Sequence, residues 1–333
     1  MKAILATAAG DPEVLQLHDI PQPELPSPQH LLVRLIAAGV NPVDTKLRAK
    51  PAYYPDQLPA ILGCDGAGVV ASIGSAVTHF KIGDAVYFCN GGIGDVPGSY
   101  AEYTTVHEDY CAAAPANLSL PDAAALPLVL ITAWEALIER AALRAGQTIL
   151  IHAAAGGVGH VALQLAHHLG ARIAVTVGDT RKAGLAHGLG AEKIINYREQ
   201  DFVQATLDWT DGRGVDVVFD SVGGETFLRS LDAARVGGKV VSLLATAMTQ
   251  ADVQKARLRN LSLCYELMLT PQVMRQHDER VRQRKILEQG AALVEQGRLG
   301  VLVSQRLPLA QAAEAHRLLE AGGMIGKVIL TMD

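Results

Sequence analysis

The sequence contains little cysteine and no cysteine motif. Its 333 residues include four cysteines that lie far apart, at Cys64, Cys89, Cys111 and Cys264. Because no C-x-x-C pair occurs, neither a disulfide framework nor a zinc knuckle is indicated, and a reducing cytoplasm fits this composition. The eleven histidines likewise form no H-x-x-H or H-E-x-x-H pattern. The spacing of cysteines and histidines therefore indicates no metal site.

Long apolar runs and an excess of positive charge are missing as well. The longest uncharged apolar stretch, residues 123–134, contains Pro127 and is well short of the ~20 residues that span a bilayer. We therefore expect a buried helix there and no membrane span. Asp11 and Pro12 come too early for the apolar core of a signal peptide. The net charge of −5, with no basic stripe, argues against nucleic acid as the main partner.

The apolar content of 49% is sufficient for a packed core, and the length suggests two domains. Residues 1–120 are predicted to be rich in β-strands, because β-branched and aromatic segments alternate there with Gly, Pro and Asp. From Pro121 onwards, short apolar strands alternate with helical segments, which predicts βαβ units and a parallel sheet covered on both faces. We expect a sixth strand at 261–268, a long charged helix over about 271–297, a second helix and a closing strand.

The segment 151–171, IHAAAGGVGHVALQLAHHLGA, joins the first of these strands to a helix through three closely spaced glycines. Residues 157–162 match the dinucleotide-binding pattern G-x-G-x-x-A. We expect Gly156, Gly157 and Gly159 to allow a tight turn with positive φ and a close approach of pyrophosphate to the backbone. The first N–H groups of the helix are then available to phosphate. A plain glycine turn is the alternative, but the surrounding βα units favour dinucleotide binding.

Several segments resemble the medium-chain dehydrogenase/reductase superfamily, in particular its zinc-free quinone oxidoreductase (zeta-crystallin-like) branch. The resemblance is carried by AAGVNPVDTKLR, YYPDQLPAILGCDGAGVV, FKIGDAVYF, GSYAEYTTV, ALPLVLITAWEAL, HAAAGGVG, INYREQDF, VFDSVGG and GKVIL. It implies an α/β fold with a GroES-like β-rich catalytic domain, built from residues 1–120 and 269–333, and a Rossmann domain with a doubly wound parallel sheet over residues 121–268. It also implies a site in the cleft between the domains and a homodimer, for which LSLCYELM is the candidate edge strand.

The resemblance implies two residues in contact with the substrate. Asn41 stands where the family places a residue that donates a hydrogen bond to the acceptor oxygen, although Asn-Pro-Val-Asp could instead cap the next helix. Tyr54 matches a tyrosine that lines the pocket and can donate a hydrogen bond or a proton, with Tyr53 as the competing candidate. Lys46 departs from close relatives, which often carry a tyrosine there, and leaves the shape of a quinone pocket open.

NADPH is the cofactor that the resemblance implies. The residues expected to bind it are Thr132, Gly156, Gly157, Val158, Gly159, Gly178, Lys182, Tyr197, Ser221 and Lys327. Asp179 is ambiguous, because it lies 22 positions after Gly157, where NAD-binding domains carry an acid for the ribose 2′-hydroxyl. Against this, Arg181 and Lys182 follow at once, and the resemblance implies that Lys182 and Tyr197 contact a 2′-phosphate, which needs cationic and hydroxyl donors. We therefore expect Asp179 to face solvent while Lys182 and Tyr197 face the ribose. The alternative is that Arg181 and Lys182 are solvated charges in the first turn of a helix.

The positions that hold zinc in other members of the superfamily are changed here. Asn41 replaces the first Cys ligand, and Cys64-Asp65 replaces a His-Glu pair. The segment LPLVLI, which would supply the third ligand, contains no Cys, His or Asp, and the four-Cys structural lobe is missing between residues 89 and 111. One thiol and scattered carboxylates do not build a tetrahedral zinc site. We therefore expect no metal and structural roles for Cys64 and Asp65.

These observations predict an NADPH-dependent oxidoreductase that transfers hydride to a quinone or an α,β-unsaturated carbonyl without zinc. Both acceptors leave an oxyanion that an amide N–H can stabilise. The first alternative is a non-catalytic NADPH-binding protein with a structural or sensing role, as the lens crystallins of this family show. A zinc alcohol dehydrogenase is a more distant alternative.

Overall fold

The computed structural model describes residues 1–51, 53, 56–94 and 96–332, and the chain divides into two compact units. The first unit comprises Met1–Ile131, Leu269–Gly297 and Val301–Asp333, and the second comprises Thr132–Met268 and Arg298–Gly300. The first unit is therefore assembled from both ends of the chain. Its first boundary falls at 131/132 rather than at 120/121, because residues just after 120 pack on strands of the first unit.

The described residues form the following strands: β1 (Lys2–Ala6), β2 (Leu15–Asp19), β3 (His30–Val40), β4 (Asp65–Ile73), β5 (Ala85–Cys89), β6 (Tyr103–His107), β7 (Cys111–Ala113), β8 (Thr148–Ile151), β9 (Arg172–Val177), β10 (Lys193–Asn196), β11 (Val215–Asp220), β12 (Ala234–Ser242), β13 (Ser262–Tyr265), β14 (Val303–Pro308) and β15 (Lys327–Thr331). The helices are α1 (Pro42–Ala49), α2 (Leu120–Ala123), α3 (Pro127–Trp134), α4 (Gly157–His168), α5 (Thr180–Gly188), α6 (Phe202–Trp209), α7 (Gly224–Ala233), α8 (Gln250–Leu258), α9 (Thr270–Val273), α10 (His277–Glu295) and α11 (Ala312–Ala321).

The first unit is built around a seven-stranded sheet with the order β14-β15-β3-β4-β5-β7, in which β6 also pairs with β3. Neighbouring strands are antiparallel, except that β14 and β15 are parallel. Because side chains alternate along a strand, Leu31, Val33 and Leu35 of β3 lie together in one core, with Val86 and Phe88. A separate antiparallel pair, β1 and β2, and helix α11 contribute to a second core.

The pairing register brings the first residues of β4 and β15 to the end of β3. Both strands run antiparallel to β3, with Gly39 opposite Asp65 and Val40 opposite Val328. Asn41, which follows β3, therefore lies beside Asp65 and Lys327. This register assembles the polar cluster described below.

The second unit contains a six-stranded sheet in which every neighbouring pair is parallel, in the order β10-β9-β8-β11-β12-β13. The chain begins at the central strand β8, moves outwards through β9 and β10, and returns to β11 on the other side of β8. This is the order of a doubly wound dinucleotide-binding sheet, in which ligands bind at the carboxyl ends of the strands where the winding reverses. The core of this unit includes Leu150, Val218 and Phe227.

The predicted α/β fold is confirmed, and the expected sixth strand forms as β13 at the edge of the parallel sheet. The single helix expected over 271–297 is wrong. Helix α9 ends at Val273 and α10 begins at His277, because Arg275 adopts the left-handed conformation with a φ of 54°. The apolar segment 123–134 contains α3 and is buried through residue 133. Within the described ranges, no helix combines the length and the apolar character that crossing a membrane requires.

Candidate active site

The glycine-rich turn joins β8 to α4, and Gly156 is the residue directly before the helix. The expectation of positive φ at its glycines was wrong: Gly156 has a φ of −76°, Gly157 and Gly159 also lie outside the left-handed region, and Ala153 has a φ of 49°. Gly159 is needed for another reason. A Cβ on it would lie 2.2 Å from the Ala153 carbonyl oxygen and 2.8 Å from Ala154 Cα. The missing side chain therefore lets α4 start directly against the turn.

The first turn of α4 presents its backbone N–H groups at the carboxyl edge of the parallel sheet. Gly157, Val158 and Gly159 open this helix of 12 residues. The N–H groups in the first turn of a helix have no acceptor within that helix, and the helix dipole adds partial positive charge there. The turn thus has N–H donors without an acceptor in the helix and the bare backbone that fit a pyrophosphate.

Gly178 and Tyr197 follow the adjacent strands β9 and β10 and lie against each other. A Cβ on Gly178 would be 2.7 Å from the Tyr197 hydroxyl oxygen, so the tyrosine occupies the space beside this glycine. The Tyr197 side chain is about half exposed. The structure therefore places two of the predicted cofactor residues side by side, at the same sheet edge as the glycine-rich turn.

Asp179 caps helix α5 and pairs with Lys182. Its Oδ1 accepts the backbone N–H of Lys182 at 2.9 Å, and its Oδ2 lies 3.6 Å from Lys182 Nζ. The hydrogen bond from the Lys182 N–H is the main cause that lowers the pKa of the Asp179 carboxyl. The side chain of Asp179 is 48% exposed, against 16% for Lys182. Both carboxylate oxygens of Asp179 are therefore engaged at the start of α5.

Ser221 and Thr132 are the remaining cofactor residues predicted in the second unit. Ser221 follows β11, which pairs with β8 on the side opposite β9, and its hydroxyl donates to the His152 carbonyl oxygen at 3.3 Å. Thr132 is buried within α3. Ser221 thus joins the residues at the ends of adjacent parallel strands, whereas no strand end positions Thr132.

In the first unit, Asn41 belongs to a buried polar cluster with Asp65 and Lys327. Asn41 Nδ2 donates to Asp65 Oδ2 at 2.9 Å, and Lys327 Nζ donates to Asn41 Oδ1. Lys327 Nζ also donates to the Val40 carbonyl oxygen at 3.1 Å and lies 3.5 Å from Asp65 Oδ2. All three side chains are buried. The Asn41 amide therefore faces the first residues of β4 and β15.

Lys327 was predicted to bind the cofactor, and its contacts suggest a different task. An ammonium group has three N–H bonds and no acceptor. Three protein oxygens, from Val40, Asn41 and Asp65, surround this one. Contact with the cofactor stays a prediction, while the geometry makes Lys327 part of the Asn41 cluster.

A second buried carboxyl group, Asp44, adjoins this cluster. Its Oδ2 accepts the Asn41 backbone N–H at 2.8 Å and the Tyr100 hydroxyl at 3.1 Å, and its Oδ1 accepts the Cys64 thiol at 3.9 Å. The Tyr100 hydroxyl also lies 3.1 Å from His316 Nε2. Burial raises the pKa of Asp44 to about 7, so this carboxyl group exchanges its proton near neutral pH.

Sequence reasoning missed Asp44, Tyr100 and His316 as members of this network. Asp44 carried a signal, because an acidic residue three positions after the residue that precedes a helix is typical of a helix start. Tyr100 and His316 carried none, since 216 positions separate them in sequence and only the tertiary fold brings them together.

The two tyrosines proposed for the substrate pocket differ in how far they can be placed. Tyr54 lies outside the described residues, so its role stays a prediction. Tyr53 is partly buried, and this burial raises the pKa of its hydroxyl group.

The residues at the zinc positions of relatives are engaged with protein groups. Cys64 is a buried thiol, and its contact with Cys89, together with burial, raises its pKa well above the usual value. Asp65 accepts the Leu128 backbone N–H at 2.8 Å and the Asn41 amide. Over the described ranges, no three His, Cys, Asp or Glu side chains group as metal ligands. This donor set does not fit a zinc ion.

Comparisons with known proteins agree with this architecture. Residues 27–116 match the family described as alcohol dehydrogenase GroES-like domain, and residues 189–330 match the family described as zinc-binding dehydrogenase. The chain is 37% identical to a quinone oxidoreductase of Pseudomonas aeruginosa over 99% of both chains. It is 34% identical to quinone oxidoreductase 1 of Escherichia coli over 96% of both.

Solved structures show the same fold. The Escherichia coli quinone oxidoreductase complexed with NADPH has a TM-score of 0.87 at 33% identity, over 99% of this chain and 100% of that one. An alcohol dehydrogenase superfamily protein from Novosphingobium aromaticivorans reaches 0.92 at 31% identity over both entire chains. A GroES-like unit and a doubly wound dinucleotide-binding unit in one chain define the dehydrogenase/reductase class. The chain belongs to the medium-chain dehydrogenase/reductase superfamily and, within it, to the quinone oxidoreductase family.

The substitution Gly159→Ala is expected to destabilise the protein, because the new Cβ would meet backbone atoms of the turn that cannot rotate away. We expect the free energy of unfolding in urea to fall by about 1–3 kcal/mol. Gly184→Ala in α5 is the matched control, since a Cβ there meets open space, and it should raise stability by up to about 1 kcal/mol. Equal effects of the two substitutions would contradict the close contact at Gly159.

Proposed function

We propose that this protein is a cytoplasmic reductase that uses NADPH to reduce a conjugated acceptor, a quinone or an α,β-unsaturated carbonyl, without zinc. The observation that carries the proposal is the buried Asn41 amide, whose oxygen is bound by Lys327 and whose nitrogen uses one N–H bond on Asp65. The second N–H bond is the donor assigned to the substrate. The similarity to quinone oxidoreductases, one of them solved with NADPH, supports the acceptor class and the cofactor.

The second unit fits the phosphates of this cofactor. The first turn of α4 offers backbone N–H groups to the pyrophosphate, and Gly159 keeps the turn free of a side chain. Lys182 and Tyr197 supply a cation and a hydroxyl group for the 2′-phosphate. When bound, NADPH supplies a hydride from C4 of its nicotinamide ring.

In the proposed reaction, Asn41 stabilises the negative charge that develops on the acceptor oxygen. A donor that is already oriented lowers the energy of such an oxyanion without reorganising during the reaction. The Asn41 amide is held from both sides in a buried setting, where a hydrogen bond is stronger than in water. The amide does not give up its proton. We therefore assign the donation of a further hydrogen bond, or of a proton, to the phenol of Tyr54.

Zinc independence is supported by the chemistry of the donor set. Asn41 and Asp65 stand at two positions that carry zinc ligands in other members of the superfamily. The ammonium group of Lys327 lies against both side chains. A divalent cation placed there would be repelled by this buried positive charge.

A non-catalytic NADPH-binding protein is the second candidate, because the glycine-rich turn and the ribose residues would serve it equally well. The buried Asn41 cluster favours the enzyme. Phosphate binding needs N–H donors and cations, and an amide held between an ammonium group and a carboxylate adds nothing to it.

The purified protein is expected to oxidise NADPH steadily with at least one acceptor among 1,4-quinones, 2-alkenals and enoyl thioesters, measured by the loss of NADPH absorbance. A metal chelator should leave the rate unchanged, and elemental analysis should find no stoichiometric zinc. Binding of NADPH without turnover of any acceptor would favour the structural or sensing protein. Stoichiometric zinc, with activity lost on chelation, would favour a zinc alcohol dehydrogenase.

The ratio of kcat/KM for NADPH to that for NADH is expected to favour NADPH. The Asp179 carboxylate is occupied at the start of α5, and Lys182 and Tyr197 are proposed to receive the 2′-phosphate. Lys182→Ala should lower this ratio roughly 10- to 100-fold, the value of a hydrogen bond to a charged group, while NADH use is spared. Arg172→Ala is the control, because it removes an exposed cation at the opposite end of β9 and should leave the ratio unchanged. A wild type that prefers NADH and shifts towards NADPH in Asp179→Ser would identify Asp179 as the ribose ligand.

The edge of the parallel sheet favours the proposed homodimer. Among the described strands β13 pairs with β12 alone, and Tyr265 at its end and Leu267 just beyond it are about half exposed. An open strand edge with apolar side chains is suited to pairing with the same edge of a second chain. Light scattering is expected to give the mass of two chains, and the mass of one chain at working concentrations would contradict this proposal.

A further inference from the structure

We infer that Lys327 and Asp65 are positioning residues, which fix the orientation of the Asn41 side-chain amide and so aim its remaining N–H bond. The inference rests on the proposed function, because it concerns how the oxyanion donor is held. It assigns Lys327 a task in the first unit that differs from contact with the cofactor.

Only one orientation of the amide satisfies both neighbours. An ammonium group donates hydrogen bonds and accepts none, while an ionised carboxylate accepts and does not donate. Lys327 Nζ must therefore face Asn41 Oδ1, and Asp65 Oδ2 must face Nδ2, as the structure has them. Turning the amide by 180° would place N–H bonds against the ammonium group and oxygen against the carboxylate. Both contacts would become repulsive.

Burial makes this choice strong. The Lys327 side chain is 3% exposed and that of Asp65 is 0% exposed, so water is not available to replace a lost partner. Charge-assisted hydrogen bonds are strong in such surroundings, and an unpaired polar group is costly. The two residues also balance each other's charge at 3.5 Å.

The positioning residues are themselves anchored to the backbone. Lys327 Nζ donates to the Val40 carbonyl oxygen at 3.1 Å, and Asp65 Oδ1 accepts the Leu128 N–H at 2.8 Å. Each side chain opens a strand that is paired with β3, the strand that Asn41 follows. The orientation of the amide is thus determined by the sheet and not by the freedom of a single side chain.

The contacts also distinguish the residue that donates to the substrate, Asn41, from the residue that orients it, Lys327. All three N–H bonds of Lys327 have a protein oxygen within reach, from Val40, Asn41 and Asp65. One N–H bond of Asn41 Nδ2 is used by Asp65. The donor left for a substrate oxygen is the other N–H bond of Asn41, and Lys327 acts through it.

A double-mutant cycle on the full-length protein tests this inference. Asn41→Ala, Lys327→Met and the double variant are compared for kcat and KM of the acceptor that the wild type uses best, with saturating NADPH. Asn41→Ala is expected to lower kcat about 10²-fold or more, as for the loss of an oxyanion donor. Lys327→Met should lower kcat by at least about 10-fold through misorientation. In the Asn41→Ala background, Lys327→Met should change kcat by less than about 2-fold, because its effect passes through Asn41.

Two further variants control for charge and folding. Lys81→Met removes an exposed ammonium that lies 3.3 Å from Asp84, and should leave kcat unchanged. The variant Lys327→Met/Asp65→Asn removes both buried charges together, so no unpaired carboxylate remains. It takes the place of Lys327→Met in the cycle if circular dichroism shows that the single variant does not fold.

The outcomes separate the inference from the proposed function. Multiplicative effects of Asn41→Ala and Lys327→Met on kcat would overturn the inference. So would a higher dissociation constant for NADPH in Lys327→Met, with kcat unchanged, because this result would make Lys327 a cofactor ligand. An unchanged kcat in Asn41→Ala would overturn it as well, while steady NADPH oxidation by the wild type would still support the proposed activity.

Discussion

The first unit depends on a buried positive charge. The Lys327 ammonium lies out of water, and a charge in that setting is stable only when protein oxygens replace its hydration. These oxygens come from Val40 and Asn41, at the end of β3, and from Asp65, at the start of β4. The lysine itself is the first residue of β15, near the C-terminus. A one-residue slip of β15 against β3 would turn the lysine to the opposite face and leave a carboxylate without its cation. The same contact that joins the two ends of the chain therefore also enforces their register.

The two units offer different kinds of recognition. In the second unit, recognition depends on the backbone, through the N–H groups of the first turn of α4 and the missing side chain at Gly159. Such a surface suits phosphates, which accept hydrogen bonds from any N–H donor. In the first unit a network of side chains carries it, with one amide held in a single orientation between an ammonium group and a carboxylate. Such a network suits one defined atom of a substrate.

Local sequence signals identified the position of the cofactor turn but not its geometry. The pattern G-x-G-x-x-A marked the turn between β8 and α4, while the left-handed residue proved to be Ala153. The pattern indicates a position where a side chain has no room, as at Gly159. Such a position requires glycine even when its φ value is one that any residue can adopt. The spacing of Asp179 matched that of a ribose ligand, whereas in the structure its carboxylate caps α5. The break before His277 had no local signal, because neither Gly nor Pro occurs between α9 and α10.

By itself, the sequence determined the alternation of strands and helices in the second unit, the glycine-rich turn and the family resemblance, because each of these depends on residue type and spacing within a short segment. Only the tertiary structure decided that Asn41 contacts Asp65 and Lys327. The same holds for the contacts of the Tyr100 hydroxyl with Asp44 and His316. Lys327 and Asn41 are 286 positions apart. Antiparallel register brings them together, and the need to surround a buried ammonium group with acceptors then sets the direction of the amide.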